Sequence, residues 1–404
     1  MAPSFPTPPK ERTLSIDALH GFGLLGVFLL DMPMFVRPVW GEFFPLLHPS
    51  ETGSSAVVRI LLTTFVHTKF FTIFALLFGT SLALLFERAE NTDTDAELAY
   101  FRRMTALFLI GIAVGVFAWY TNVLLILAVC GALAVPTARW EAPRVLRGSW
   151  RILAIGAALG AFAIAGGAVT GGASEMFVTR VAYLAGHEHA VFSVWNFQEL
   201  TAYRGALFLT LIPPTFLLFG GKILGCVMLG VWLQKTRSFQ HSEQSQAFWK
   251  RILVWGGALG LPSQFLAAML AHFYPVSPLS AGAQWLLLYF GGLALAGAYI
   301  AIICLLAAND RWTRLLSPAA AMGRMGLSNY CLGITLASLI AYPYGLGYFG
   351  KLSTASSAAV AIPLWIVCLG CSYFWLLWFR FGPLEWLVRG FAYGRLPKMS
   401  VNSS

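Results

Sequence analysis

Apolar residues in this chain come in long unbroken runs rather than at alternating or every-third positions, and short polar stretches separate the runs. A helix crosses roughly 30 Å of hydrocarbon in about 20 residues, and only helices or closed barrels satisfy their own backbone hydrogen bonds there. Runs of that kind occupy 15–36, 56–86, 104–120, 122–136, a segment ending near 172, then 205–233, 252–273, 282–306, 325–344 and 356–379. The pattern predicts an all-α, polytopic integral membrane helical bundle of about ten transmembrane helices. It divides the chain into an N-terminal tail over 1–14, a bundle over 15–380 and an amphipathic C-terminal segment over 381–404.

Three places depart from a plain succession of spans. The run at 56–86 is long enough to tilt or to extend beyond the bilayer. Pro213-Pro214 removes two backbone donors from the sixth run, which predicts a kink or a break there. The longest gap, 173–204, mixes Glu175, Arg180, His187, Glu188, His189, Glu199 and Arg204 with aromatic residues and reads as interfacial helices outside the bilayer.

Composition excludes a water-soluble reading: 58% of the 404 residues are hydrophobic and 11% charged, against about 25% charged in an ordinary soluble domain. The formal charge of +10 predicts no nucleic-acid partner, because the cations lie between apolar runs and form no basic stripe with interleaved aromatics. When alternate gaps are assigned to opposite sides, 20 of the 27 Lys and Arg fall on the side of the N-terminus. By the positive-inside rule both termini are expected in the cytoplasm. No small-residue cleavage site follows the first run, which reads as an uncleaved helix. All six cysteines lie in apolar runs, and the Cys368-Cys371 pair lacks a second ligand pair, so neither a disulfide framework nor a metal is expected.

Ionisable groups at membrane depth are costly and therefore mark candidate sites. Asp31 falls near the outer end of the first helix, His67 and Lys69 in the outer half of the second, and Asn122 at the Tyr120-Thr121-Asn122 turn. Asp31, His67 and Asn122 are candidates for one outward-facing polar cavity, with His67 as general base and Asp31 orienting it. A lone intramembrane histidine is equally compatible with a plain helix–helix hydrogen bond, and Lys69 and Lys222 with snorkelling or a structural ion pair. His48, His187 and His189 are further candidates in outer loops. Near the cytoplasmic face, Asp17, His20, Arg324 and Asn329 are placed where arginine could grip a phosphate-bearing donor, or where it merely anchors the helices.

Two sets of stretches carry a family resemblance. The first is RTLSIDALHGFGLLGVFLLDMPMF, from Arg12 to Phe35, with KFFTIFALLFGTS, from Lys69 to Ser81. The second, more specific set is GRMGLSNYCLGIT, from Gly323 to Thr335, with YGLGYFG, from Tyr344 to Gly350, and FGPLEWLVRGFAY, from Phe381 to Tyr393. Over nearly its whole length the chain resembles the YeiB-like family of bacterial inner-membrane proteins, a domain of unknown function similar to the transmembrane acyltransferase superfamily. That resemblance implies transfer of an acyl group from cytoplasmic acyl-CoA, used as co-substrate, to a glycan or small glycosylated acceptor on the opposite face. It implies an outer-side histidine, supplied here by His48 or His67, and a polar residue ending the first helix, here Asp31. His20, Lys222, Arg324 and Asn329 are the corresponding candidates for holding the donor; the bilayer and a second copy of the chain are the other candidate partners.

Departures from the family pattern are equally specific. His20 stands where family members usually have Arg, Asp31 where they have Asn, and Gly333 where they have Gln. Gly111 with Val114 replaces a usual Gly-x-x-His, and Thr121-Asn122-Val123-Leu124 replaces Gly-Asp-Ile-Leu. The polar set thus differs from that of typical members, which leaves a changed substrate or lost catalysis open. A transporter or exporter, with a site near a broken sixth helix and Lys222, and a non-enzymatic scaffold are the competing readings.

Overall fold

The computed structural model describes residues 14–43, 52–89, 95–170, 175–240, 242–273 and 278–401. Candidate His48 lies outside them. Helix α1 spans Leu14–Val36, followed by α2 Val39–Phe43, α3 Gly53–Phe65, α4 Lys69–Ala89, α5 Ala96–Phe117, α6 Leu124–Leu133, α7 Ala142–Thr170 and α8 Glu175–Ser193. The second half comprises α9 Phe197–Lys235, α10 Glu243–Phe273, α11 Pro278–Leu286, α12 Gly292–Ala307, α13 Asp310–Arg324, α14 Gly326–Ala341, α15 Thr354–Trp378 and α16 Pro383–Tyr393. The protein is a polytopic α-helical membrane protein. Eight helical stretches among the described residues are long and apolar enough to cross a bilayer, and two shorter apolar helices, Leu124–Leu133 and Gly326–Ala341, fall where the fourth and ninth runs were expected.

Side-chain distribution follows the solvent. Leu109, Phe162, Leu209, Val254, Trp255, Ile366, Phe374 and Trp378 stand exposed on the helices, an apolar exterior that a water-soluble protein cannot carry but hydrocarbon accommodates. Inside, where lipid and protein are equally apolar, close backbone approach supplies the cohesion. A methyl built on Gly79 of α4 would lie 1.7 Å from the Val227 carbonyl oxygen, and one on Gly230 of α9 would lie 1.9 Å from that of Leu76. Only glycine at both positions lets α4 and α9 touch backbone to backbone.

The structure changes three of the sequence expectations. The 56–86 run is not one helix: α3 ends at Phe65, residues 66–68 turn, and α4 begins at Lys69. Thr68 at the turn has φ +67°, a conformation a β-branched residue adopts only when its surroundings force it. The Pro213-Pro214 break does not occur, for α9 runs unbroken from Phe197 to Lys235. Prolines remove donors only from the Leu209 and Thr210 carbonyls, while α5 on one side and α4 and α7 on the other hold both halves in line. Finally, polar gaps contain helix: Arg144, Arg147 and Arg151 lie on the first turns of α7, and Arg311, Arg314 and Arg324 on α13. Charged residues mask such helices from a hydropathy reading, although Asp95 and Asn309 cap α5 and α13 through Leu98 N and Arg311 N.

The C-terminal segment is tied to the bundle. Glu385 of α16 accepts hydrogen bonds from Leu327 N at 2.6 Å and Ser328 N at 3.0 Å, satisfying donors that the first turn of α14 leaves open. Two of the resemblance stretches, around Ser328 and around Glu385, are therefore joined in space.

Candidate functional site

Polar side chains gather at the end of the bundle where α1 finishes. On α8, His187 and His189 are exposed while Glu188 between them turns inward and is wholly buried. Its carboxylate accepts from Val39 N at 3.0 Å and from the Tyr120 hydroxyl at 3.0 Å, and the Trp40 backbone N–H adds a further donor. Burial, only partly offset by these donors, pushes Glu188 from the usual carboxylate range up to about 7. Burial and the neighbouring carboxylate push the Tyr120 phenol well above its ordinary value, so it remains a proton donor.

Arg204 of α9 lies beside Glu188 without pairing with it. It donates to Phe117 O at 3.0 Å and to the Tyr344 hydroxyl at 3.2 Å, and its guanidinium lies 4.4 Å from the centroid of the Tyr342 ring. Phe35 stacks on Trp119 with centroids 3.6 Å apart, and Trp119 leans on Tyr120. Several buried atoms here lack a hydrogen bond of good geometry: Trp40 Nε1, Trp119 Nε1, Asn122 Oδ1, Tyr203 OH, Arg204 Nε and Tyr342 OH. Some approach one another, Trp40 towards Tyr203 and Tyr342 towards Arg204. The Trp119 indole likewise approaches Asp31, so these groups form one connected polar cluster packed among aromatic rings.

Two of the four candidate catalytic residues border this cluster. Asp31, one turn before Phe35, sits near the Trp119 indole and the Tyr330 phenol. It is the polar member of a narrow crevice otherwise lined by apolar residues, among them Phe28, Met32, Ile334, Ala337 and Leu364. Asn122 donates to Gly111 O at 3.2 Å and Trp119 O at 3.0 Å, holding the turn. Val114, where the resemblance implies histidine, is buried in the same apolar packing as Phe35 and Trp119.

His67 lies elsewhere, at the α3–α4 break with Lys69 and Arg59 as its charged neighbours. A π-helical bulge faces this break, over Leu287–Gly291 in the otherwise continuous helix formed by α11 and α12. Side chains close the carbonyls that the break and the bulge release. Lys69 Nζ donates to Thr63 O at 2.7 Å and to Gln264 Oε1; Tyr299 OH donates to Phe65 O at 3.0 Å. Gln264 Nε2 donates to Leu287 O at 2.8 Å, and Thr68 Oγ1 to Leu288 O at 3.0 Å. Lys222, also wholly buried, reaches Leu288 O at 3.4 Å.

The candidates for donor binding do not form one group with Lys222. His20 Nδ1 donates to Ile16 O at 2.9 Å and tilts against Phe74, while Asn329 donates to Met322 O at 2.9 Å and Ser372 Oγ at 2.7 Å. Arg324 follows Gly323, on which a methyl would lie 1.8 Å from Asp17 O, so this end of α13 meets the first turn of α1. Sequence reasoning did not single out Glu188, Tyr120 or Tyr342 for chemistry. An acid between two histidines in the longest polar segment was the available signal.

Residues 233–395 match the family described as "Protein of unknown function (DUF418)". The chain is 26% identical over 404 residues to the "Uncharacterized protein YxaH" of Bacillus subtilis (strain 168), covering 96% of each protein. It is 26% identical over 386 residues to an "Uncharacterized 39.9 kDa protein in amylase 3'region" of Bacillus acidopullulyticus, covering 95% of each. It is 26% identical over 397 residues to the "Uncharacterized protein YeiB" of Escherichia coli (strain K12), covering 94% of this chain and 96% of that protein. The C-terminal part of the chain thus matches the family of unknown function, and nearly its whole length is similar to the YxaH and YeiB proteins.

Proposed function

We propose that this chain is an acyltransferase of the bacterial inner membrane, using acyl-CoA as donor and acting on a hydroxyl of a glycan or small glycosylated acceptor. The observation that carries the reading is Glu188, a wholly buried carboxylate raised to about 7 and held by Tyr120. A group poised near neutral pH is suited to take a proton in the transition state and return it afterwards. In this reading the acceptor hydroxyl oxygen bonds to the acyl carbon as the thioester C–S bond breaks. The hydroxyl proton passes to Glu188, and CoA leaves as a thiolate that is protonated in water. Arg204, Tyr342 and the indole and phenol groups around them carry the donors and acceptors that a polyhydroxylated acceptor would use. His20 and Arg324, near the end where α1 begins, are the residues assigned to the donor's phosphates.

A second reading, passage of a solute through the bundle, is favoured by the α3–α4 break and the π-bulge opposite it, which meet at buried lysines. Thermal unfolding of the detergent-purified chain with acetyl-CoA and longer acyl-CoAs separates the two. Saturable stabilisation at micromolar donor is expected for the acyltransferase. A flat response to every acyl-CoA overturns that reading and leaves solute flux in liposomes as the assay.

A further inference from the structure

Two lysines without a carboxylate partner meet where the α3–α4 break faces the π-bulge of α11–α12. Lys69 at the start of α4 and Lys222 in α9 are both wholly buried, and neither forms an ion pair with a carboxylate among the described residues. Both reach the same junction: Lys222 shares Leu288 O with Thr68, and Lys69 bonds Gln264, which in turn bonds the adjacent Leu287 O. Burying one unpaired charge inside a membrane bundle already costs several kcal/mol. Capping the open carbonyls does not explain the charges, because at the same junction Tyr299, Thr68 and Gln264 cap Phe65 O, Leu288 O and Leu287 O with neutral donors.

Lys222 is also under-used. An ammonium has three donors, yet the only hydrogen bond of Lys222 among the described residues is the long one of 3.4 Å to Leu288 O. Around it lie the faces of Phe71 and Tyr289, with ring centroids 5.4 and 5.1 Å from Nζ. Thr68 already caps Leu288 O at 3.0 Å, so Lys222 can turn away without leaving that carbonyl open. Gly292 packs directly against this pair: a methyl there would lie 2.1 Å from Thr68 Oγ1 and 3.3 Å from Lys222 Nζ.

We propose that Lys69 and Lys222, with Thr68 and Gln264 beside them, form a buried binding site for one compact monovalent anion, either chloride or the carboxylate of a small solute. The anion balances the lysine charge and takes the idle donors of Lys222. A dianion or a bulky polyol acid does not fit the closely packed junction. This inference stands apart from acyl transfer and survives its failure.

The test uses the full chain, purified in neutral detergent in sodium gluconate and titrated with chloride or formate at constant ionic strength. A saturable rise in the unfolding midpoint is expected for both anions, with none for sulfate. Lys222→Met and Lys69→Met are expected to lose the response, whereas Arg139→Gln, at an exposed cation, keeps it. Direct binding of radiolabelled chloride to the unaltered chain is the second measurement, with about one site per chain displaced by formate and not by gluconate. Absence of saturable chloride binding to the unaltered chain, or an undiminished response in both Met variants, overturns the proposal.

Discussion

The Tyr120 hydroxyl donates to Glu188 at 3.0 Å, joining the turn after α5 to the middle of α8 at a point where both side chains are shut off from solvent. A carboxylate placed this way is costly to ionise, and the cost makes several consequences measurable.

Stability should depend on pH through Glu188. Its value is raised from 4.5 to about 7, so the folded state holds the proton more tightly than the unfolded chain. Its stabilising contribution is complete below about pH 4.5 and is lost as pH rises through about 7, a span worth roughly 3 kcal/mol at most. Unfolding midpoints taken from pH 5 to pH 8 should fall more in the unaltered chain than in Glu188→Gln, which carries no titratable group there. Parallel curves for the two proteins would contradict this assignment.

Arg204 should not be replaceable by lysine. The flat guanidinium serves Phe117 O and Tyr344 OH while lying against Tyr342, a combination a point-like ammonium cannot reproduce. Arg204→Lys is expected to lose about 2 kcal/mol. A midpoint within a degree of the unaltered protein would show that the stacking contributes nothing.

Glu385 should matter more than an ordinary exposed acid of an amphipathic helix. Glu385→Ala leaves the Leu327 and Ser328 N–H groups without their acceptor, at a cost of about 1–3 kcal/mol. Ser328→Ala in the same background should add less than it does alone, since both act in one network. Additive losses in a double-mutant cycle would separate the two residues.

Gly79→Ala and Gly230→Ala should each destabilise the detergent-purified protein by about 1–3 kcal/mol, because the added methyl meets the backbone of the opposite helix. Size-exclusion chromatography before and after heating reads the loss. Survival of both variants at the original midpoint would mean that the α4–α9 contact is looser than drawn.

The architecture was legible in the sequence where hydropathy alone decides it. Unbroken apolar runs located α1, α5, α7, α10 and α15, and the Tyr120-Thr121-Asn122 turn was placed correctly. The same signal could not show the α3–α4 break, since 66–68 contains no Gly or Pro and the interruption depends on Lys69, Gln264 and Tyr299 converging from three helices. Pro213-Pro214 misled for the converse reason: packing along α9 holds a helix that local chemistry weakens. Within the candidate site, Asp31 and Asn122 were recognisable as polar groups at span ends. Glu188 was not, because helix α8 buries one side of a segment whose composition reads as exposed, and only the fold brings Tyr120, Val39 and Arg204 to it.

The most direct test of the account is acyl transfer by the purified chain in liposomes, with labelled acetyl-CoA and a panel of glycan acceptors, compared with Glu188→Gln. General-base catalysis typically contributes about 10²–10⁴-fold, so the variant should bind donor normally and transfer at least about a hundredfold more slowly. Equal transfer by the two proteins, or no transfer from any acyl-CoA by the unaltered chain, would contradict it.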